Sequence, residues 1–111
     1  MDSQPTRLAS RKETLARDPA RIHLLEDFDL TLTTPVSRSI RLNGKSTCIR
    51  VEDAYWRILE LVARRQDVPV TKFLSLLDLE VQYTRGAVPN FSALVRVLAV
   101  VTALRQAGVR I

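Results

Sequence analysis

The sequence predicts a mainly α fold with a short β ribbon, built as one β-hairpin followed by three helices. Three observations carry that prediction. Asn43-Gly44 lies between two stretches of alternating residues, the strongest short-range signal for a two-residue hairpin. Downstream, apolar residues recur at helical spacing in three successive segments. The glycines Gly44, Gly86 and Gly108 and the prolines Pro5, Pro19, Pro35, Pro69 and Pro89 fall outside those periodic segments and mark their seams.

The hairpin strands are predicted over Arg38–Leu42 and Ser46–Val51. With Asn43-Gly44 as the turn, Leu42 faces Lys45, Ile40 faces Thr47, Arg38 faces Ile49 and Val36 faces Val51. That side is mostly apolar. The other side pairs Arg41 with Ser46, Ser39 with Cys48 and Ser37 with Arg50, all polar, small or basic. Such consistent alternation predicts strands with one buried and one wet face.

Glu52 or Asp53 opens the first helix, which runs to about Gln66. Tyr55, Ile58, Leu59 and Val62 form its apolar stripe, and Asp53, Arg57, Glu60 and Arg64 the opposite one. Asp53–Arg57 and Glu60–Arg64 are favourable i, i+4 pairs. Asp67-Val68-Pro69 breaks the helix. The second helix spans about Val70–Tyr83, with Phe73, Leu74, Leu77 and Val81 on its apolar face and Thr71, Ser75, Asp78 and Gln82 on its wet one. After a loop at Thr84–Pro89, Asn90 caps a third helix that runs to about Ala107, and Gly108 stops it.

The third helix is apolar nearly all round: Phe91, Leu94, Val95, Val97, Leu98, Val100, Val101 and Leu104. Such a helix needs cover on several sides, and so small a domain cannot supply it alone. Each large aliphatic side chain left in water forfeits roughly 1.5–3 kcal/mol. A two-fold homodimer is therefore predicted.

Residues 1–35 read as a flexible N-terminal arm and residues 36–111 as the folded domain with its added C-terminal helix. Residues 1–18 carry few apolar side chains. Asp18 and Pro19 read as the N-cap and first residue of a short helix over Ala20–Phe28, with Leu24, Leu25 and Phe28 on one side. A helix of that length is not stable alone, so the arm docks loosely or folds onto a partner.

Composition narrows the function. The chain has 111 residues, the size of one domain. It contains no run of 18 uncharged apolar residues that would span a membrane, and its N-terminus lacks the apolar core of a signal peptide. Cys48, the single cysteine, excludes an internal disulfide and a Cys-rich zinc site. A reducing, cytoplasmic setting and no cofactor are expected. His23, the single histidine, falls in the arm and reads as a solvated side chain. Cys48 reads as a small strand residue, Glu52-Asp53 as a helix-start pair and Trp56 as a core anchor. With no phosphate-binding Gly loop either, no enzyme is predicted.

The charge is uneven. Residues 1–36 carry net −1 and residues 37–111 net +6, and fourteen of the seventeen basic residues are Arg. Arg suits planar, bidentate contact with phosphate or guanine, so the basic part predicts a polyanion partner.

The stretch Ser46-Thr47-Cys48-Ile49-Arg50-Val51-Glu52-Asp53-Ala54-Tyr55-Trp56 resembles the strand and helix start of the ribbon-helix-helix family of DNA-binding proteins. The preceding Arg41-Leu42-Asn43-Gly44-Lys45, the Trp after the acidic pair, and Asn90-Phe91-Ser92-Ala93-Leu94-Val95-Arg96-Val97 are similar to a proteobacterial subgroup of uncharacterised ribbon-helix-helix proteins. The resemblance covers about residues 38–104. It implies an intertwined homodimer whose paired strands enter the major groove of double-stranded DNA and act in transcription regulation. Ser46, Cys48 and Arg50 would read base edges, Arg50 best placed because bidentate Arg–guanine contact is the commonest specific one. Arg41, Lys45, Val70, Thr71 and Lys72 would contact phosphates, the last three at the start of the second helix.

Two features depart from the family pattern. Pro69 stands where Ser or Thr often caps the second helix, and it supplies neither a hydroxyl nor an N–H. The extra strand Arg38–Leu42 would widen the dimer's ribbon to four strands at about 4.8 Å each, against a groove about 12 Å wide. The alternative function is a dimeric protein-interaction module, antitoxin-like or an adaptor, that holds a partner protein through its arm or basic face. Family antitoxins usually place the toxin-binding tail after the DNA-binding domain, whereas the spare segment here is at the front.

Overall fold

The computed structural model describes residues 23–84, 86, 88 and 90–111. A 3-10 turn at Leu30–Thr33 leads into strands β1 (Pro35–Leu42) and β2 (Lys45–Glu52). Helices α1 (Asp53–Arg65), α2 (Val70–Thr84) and α3 (Phe91–Gln106) follow. The hairpin-then-three-helices order is the predicted one, and so is the register: Leu42 lies opposite Lys45, Ile40 opposite Thr47, Arg38 opposite Ile49 and Val36 opposite Val51. Asn43 and Gly44 have φ of 52° and 86°, the two left-handed residues that a tight hairpin turn requires. β1 begins earlier than the predicted Arg38, at Pro35, a first-residue position where a strand tolerates proline.

Period-two alternation places Ile40, Leu42, Ile49 and Val51 on the inner face of the hairpin, where they are buried. They pack with Trp56 and Leu59 of α1, Leu74 of α2, and Val95 and Ala99 of α3 in one core. The Trp56 side chain is fully buried, and its Nε1–H donates to the Val36 carbonyl at 2.9 Å. This buried indole ties α1 to β1, in the core-anchor role read from the sequence.

Helices α1 and α3 end in the same device. After α1, Val68 N–H donates to Ala63 O (3.1 Å) and Asp67 N–H to Arg64 O (3.0 Å), with Asp67 in the left-handed region at φ 61°. After α3, Val109 N–H donates to Leu104 O (2.8 Å) and Gly108 N–H to Arg105 O (3.0 Å), with Gly108 at φ 88°. Both are the paired carbonyl closures that favour glycine at the left-handed position. Only the second has one. Asp67→Gly should therefore raise the unfolding midpoint, by about 0.5–1 kcal/mol after the added freedom of the unfolded chain is counted. A lowered midpoint would mean that the Asp67 side chain contributes more than its backbone strain removes. At the start of α3, Asn90 caps as predicted, accepting the Ala93 N–H at 3.0 Å.

Two expectations need correction. Residues 23–28 form bends and a turn rather than the helix expected over Ala20–Phe28, and residues 20–22 lie outside the described residues. Asp29 instead caps the 3-10 turn, accepting from Thr31 N–H (3.0 Å) and Thr31 Oγ1–H (2.6 Å). These bonds, the hydroxyl's first, hold its carboxyl below the ordinary aspartate value. The Asp53–Arg57 pair forms at 3.0 Å, but Glu60 pairs with Arg38 of β1 at 3.2 Å rather than with Arg64. Arg38, on the inner side of the hairpin, also stacks 4.4 Å from the Trp56 ring centroid, so its charge is placed by α1.

The third helix is covered on one side only. Val95 and Ala99 are buried, whereas Val97 is 61% and Val100 38% exposed. One chain thus leaves uncovered the apolar surface that led to the dimer prediction.

Candidate nucleic-acid interface

The outer face of the hairpin carries Ser37, Ser39 and Arg41 from β1 and Ser46, Cys48 and Arg50 from β2, all exposed. No carboxylate falls between Arg38 and Arg50. The face exists because the opposite side is apolar: Ile49 and Val51 are driven into the core, so Cys48 and Arg50 between and beside them must point to water. Arg50 Nη1 donates to Ser37 Oγ at 3.4 Å across the strand pair. The predicted base readers Ser46, Cys48 and Arg50 are therefore together on one face, with Arg41 among them.

Lys45 is exposed, but it pairs with Leu42 and shares the parity of Thr47 and Ile49. It leaves the sheet on the helix side, at the open end beside the turn, and is not on the face of Arg50. Ser37 and Ser39 were not among the sequence-predicted site residues, although the register that placed Arg50 outward placed them outward too.

At the start of α2, the first helical bond runs from Phe73 N–H to Pro69 O (3.0 Å). The N–H groups of Val70, Thr71 and Lys72 precede it, and Thr71 and Lys72 are exposed. Such amides form the positive end of a helix. The hollow beside them is lined by Glu60, Arg64, Asp67, Val68, Pro69 and Val70, so two carboxylates stand near the place a phosphate would take. The hairpin tip is joined to the same helix. Asn43 Nδ2–H donates to Ser75 O (3.1 Å) and Asp78 Oδ2 (2.9 Å), about 8 Å along the axis from Val70.

The junction between ribbon and α1 is held by charge. Glu52, at the N-cap of α1, makes no side-chain cap bond. Its own backbone N–H, and then the Arg96 Nε–H at 3.0 Å, hold its carboxyl below the ordinary glutamate value of 4.5. A lowered carboxyl pKa means that this contribution to stability is present above the ordinary value and is lost as pH falls through the folded-state value. Arg96→Ala should move the Glu52 titration upward by NMR. An unmoved titration would leave the backbone N–H, with the charge of Arg50, as the cause.

Among the described residues, no helix is long and apolar enough to cross a membrane, and no cluster of three metal-ligating side chains occurs. No curated protein matches the chain. The solved structure of an uncharacterized protein from Bordetella pertussis Tohama I is similar to it. The two are 30% identical with a TM-score of 0.64, over 89% of this chain and 71% of that one. The family model for the ribbon-helix-helix domain matches residues 35–103, from the first residue of β1 into α3. A match across the hairpin and the helices that bury its inner face shows that this chain belongs to the ribbon-helix-helix domain family.

Proposed function

We propose that the protein is a homodimeric, sequence-specific DNA-binding transcriptional regulator that reads the major groove with its β ribbon. Ribbon-helix-helix domains are generally DNA-binding regulators or antitoxins. The observation that carries the reading is the outer hairpin face, exposed and basic with no carboxylate from Arg38 to Arg50, on strands whose inner face is locked into the core.

β2 is hydrogen-bonded to β1 along one edge, and its other edge is unpaired among the described residues. Pairing that edge with the same edge of a second copy sets two β2 strands side by side. Two strands at about 4.8 Å fit a groove about 12 Å wide. The β1 strands then flank the pair, and strand-to-strand twist of roughly 20–25° turns them away from the groove floor. Their small outward residues, Ser37 and Ser39, leave Arg50 the longest side chain at the centre. Arg50 reads guanine, Ser46 and Cys48 contact neighbouring base edges, and Arg41 and Lys72 meet phosphates with the α2 amides. Lys45 reaches the backbone only from the ribbon's end.

The test is a pair of adjacent substitutions, read by fluorescence anisotropy on a selected duplex site and by denaturant unfolding. Arg50→Ala should remove about 1–3 kcal/mol of base discrimination per contact and leave stability nearly unchanged. Ile49→Ala should cost about 2–5 kcal/mol of stability with little change in specificity per folded molecule. The opposite pattern would mean that the exposed hairpin face is not the reading face.

A further inference from the structure

We propose that the apolar cleft on α3 is the seat for the segment His23–Leu30 of a second copy of this chain, so that two protomers exchange arms. The inference rests on the homodimer of the proposed function and adds a second contact between its protomers, away from the ribbon.

The cleft is lined by Tyr55 of α1, by Val97, Val100 and Val101 of α3 and by Ile111, with Arg96 at its rim. Val97 and Ile111 are 61% and 65% exposed, an apolar surface that a single chain leaves in water. The arm has the complementary shortage of cover. Leu24, Leu25, Phe28 and Leu30 are all exposed, Leu24 at 76%, so four large apolar side chains fall close together in the chain without a core to enter. Charge matches as well. Glu26, Asp27 and Asp29 are interleaved with those apolar residues, whereas Arg96 lines the cleft and Arg105 and Arg110 line the adjoining hollow that shares Ile111 with it. A second α3 laid in the cleft would bring the same arginines of two copies together, like charge against like; the acidic arm brings opposite charge.

The arm's own cleft is out of its reach. Thr34 O accepts the Asp53 N–H at 2.8 Å, which fixes the arm to the Asp53 side of α1. Asp29, capped onto Thr31, feels the charge of Arg57, one helical turn along that same side. Tyr55 lies two residues from Asp53, about 200° round the helix, on the side that faces the cleft. Phe28 precedes Asp29 directly. To reach the cleft of its own chain it would have to unmake the Asp29 cap and the 3-10 turn and pass around a helix about 10 Å wide. A second copy needs no such rearrangement.

The experiment uses two full-length chains with different tags, both carrying Cys48→Ser so that no native thiol remains. One carries Leu25→Cys and the other Val97→Cys; both positions are exposed, so neither substitution opens the core. The two are mixed, allowed to exchange and oxidised mildly, with sedimentation run alongside. Cross-linked dimer in the mixed sample and in neither separate sample is expected, and Phe28→Glu in the arm-bearing chain should abolish it. Dimers by sedimentation without that cross-link would overturn arm exchange and leave the ribbon dimer standing. Monomers by sedimentation would overturn the homodimer itself. Cross-linked dimer from Val97→Cys alone would assign the cleft to a second α3. An intrachain bridge, when one chain carries both cysteines, would return the arm to its own cleft.

Discussion

Affinity of the full chain for random-sequence duplex DNA should fall by about three orders of magnitude between roughly 50 and 200 mM salt, as expected when about six phosphate charges are neutralised. The count comes from Arg41, Lys45 and Lys72 on each of two protomers, all of them exposed. Each neutralised phosphate adds about −0.9 to the slope of log K against log salt. The dependence should survive removal of residues 1–30, because the net +6 lies in residues 37–111 and the arm is close to neutral. An anisotropy titration of full-length and truncated protein at several salt concentrations measures both. Absence of binding at low salt would favour the protein-interaction module. Binding lost only on truncation would move the contact to Arg7, Arg11, Lys12, Arg17 and Arg21, a basic set that suits a backbone or minor-groove tether.

Trp56→Ala should be the most destabilising single substitution, costing about 3–5 kcal/mol. The indole is completely buried and bonds the Val36 carbonyl at 2.9 Å. It also carries the Arg38 guanidinium on its face at 4.4 Å. Truncation empties the largest side-chain volume in the core, leaves the carbonyl without its donor and removes the platform under a charge. The variant contains no tryptophan, so unfolding must be followed by far-UV circular dichroism, at one protein concentration because association adds to apparent stability. Trp56→Phe should recover most of the packing but not the hydrogen bond. A loss below about 1 kcal/mol for the alanine variant would show that neighbouring side chains collapse into the space and that the anchor role is wrong.

The parts of the site that were legible in the sequence follow from short-range rules. Asn43-Gly44 fixes a two-residue turn, the turn fixes the register, and the register sends Ser46, Cys48 and Arg50 outward once Ile49 and Val51 go inward. The same logic placed Ser37 and Ser39 outward, yet the family pattern sought base readers on β2 alone. Arg38 and Glu60 were misread for a different reason. An i, i+4 partner is visible in the sequence, but Glu60 had a choice between Arg64 on its own helix and Arg38, 22 positions away. The long-range pair forms because Trp56 holds the guanidinium flat against α1, and no periodicity announces that.

The arm shows the same division. Its apolar residues suggested a helix over Ala20–Phe28, but Phe28 N–H bonds Leu25 O at 3.2 Å with Asp27 left-handed at φ 61°, which closes a turn there instead. The carboxylates Glu60 and Asp67 beside the start of α2 come from the end of one helix and the loop that follows it. Asp67 is three positions from Val70 in the chain, but only the corner made by packing α1 against α2 puts Glu60 near the candidate phosphate site.

By itself, the sequence determined the hairpin and its register, the three helices with the Asn90 and Gly108 caps, the outward basic face and the excess apolar surface of α3. All of these follow from alternation, helical spacing and turn chemistry, which act between residues a few positions apart. Only the tertiary structure decided which charges pair, that the hairpin tip is bonded to α2 through Asn43, that Glu52 is held by Arg96, and which side of α3 stays uncovered. Those outcomes depend on the angles at which helices pack on a sheet. Such angles are set by the fit of many buried side chains at once rather than by any local pattern.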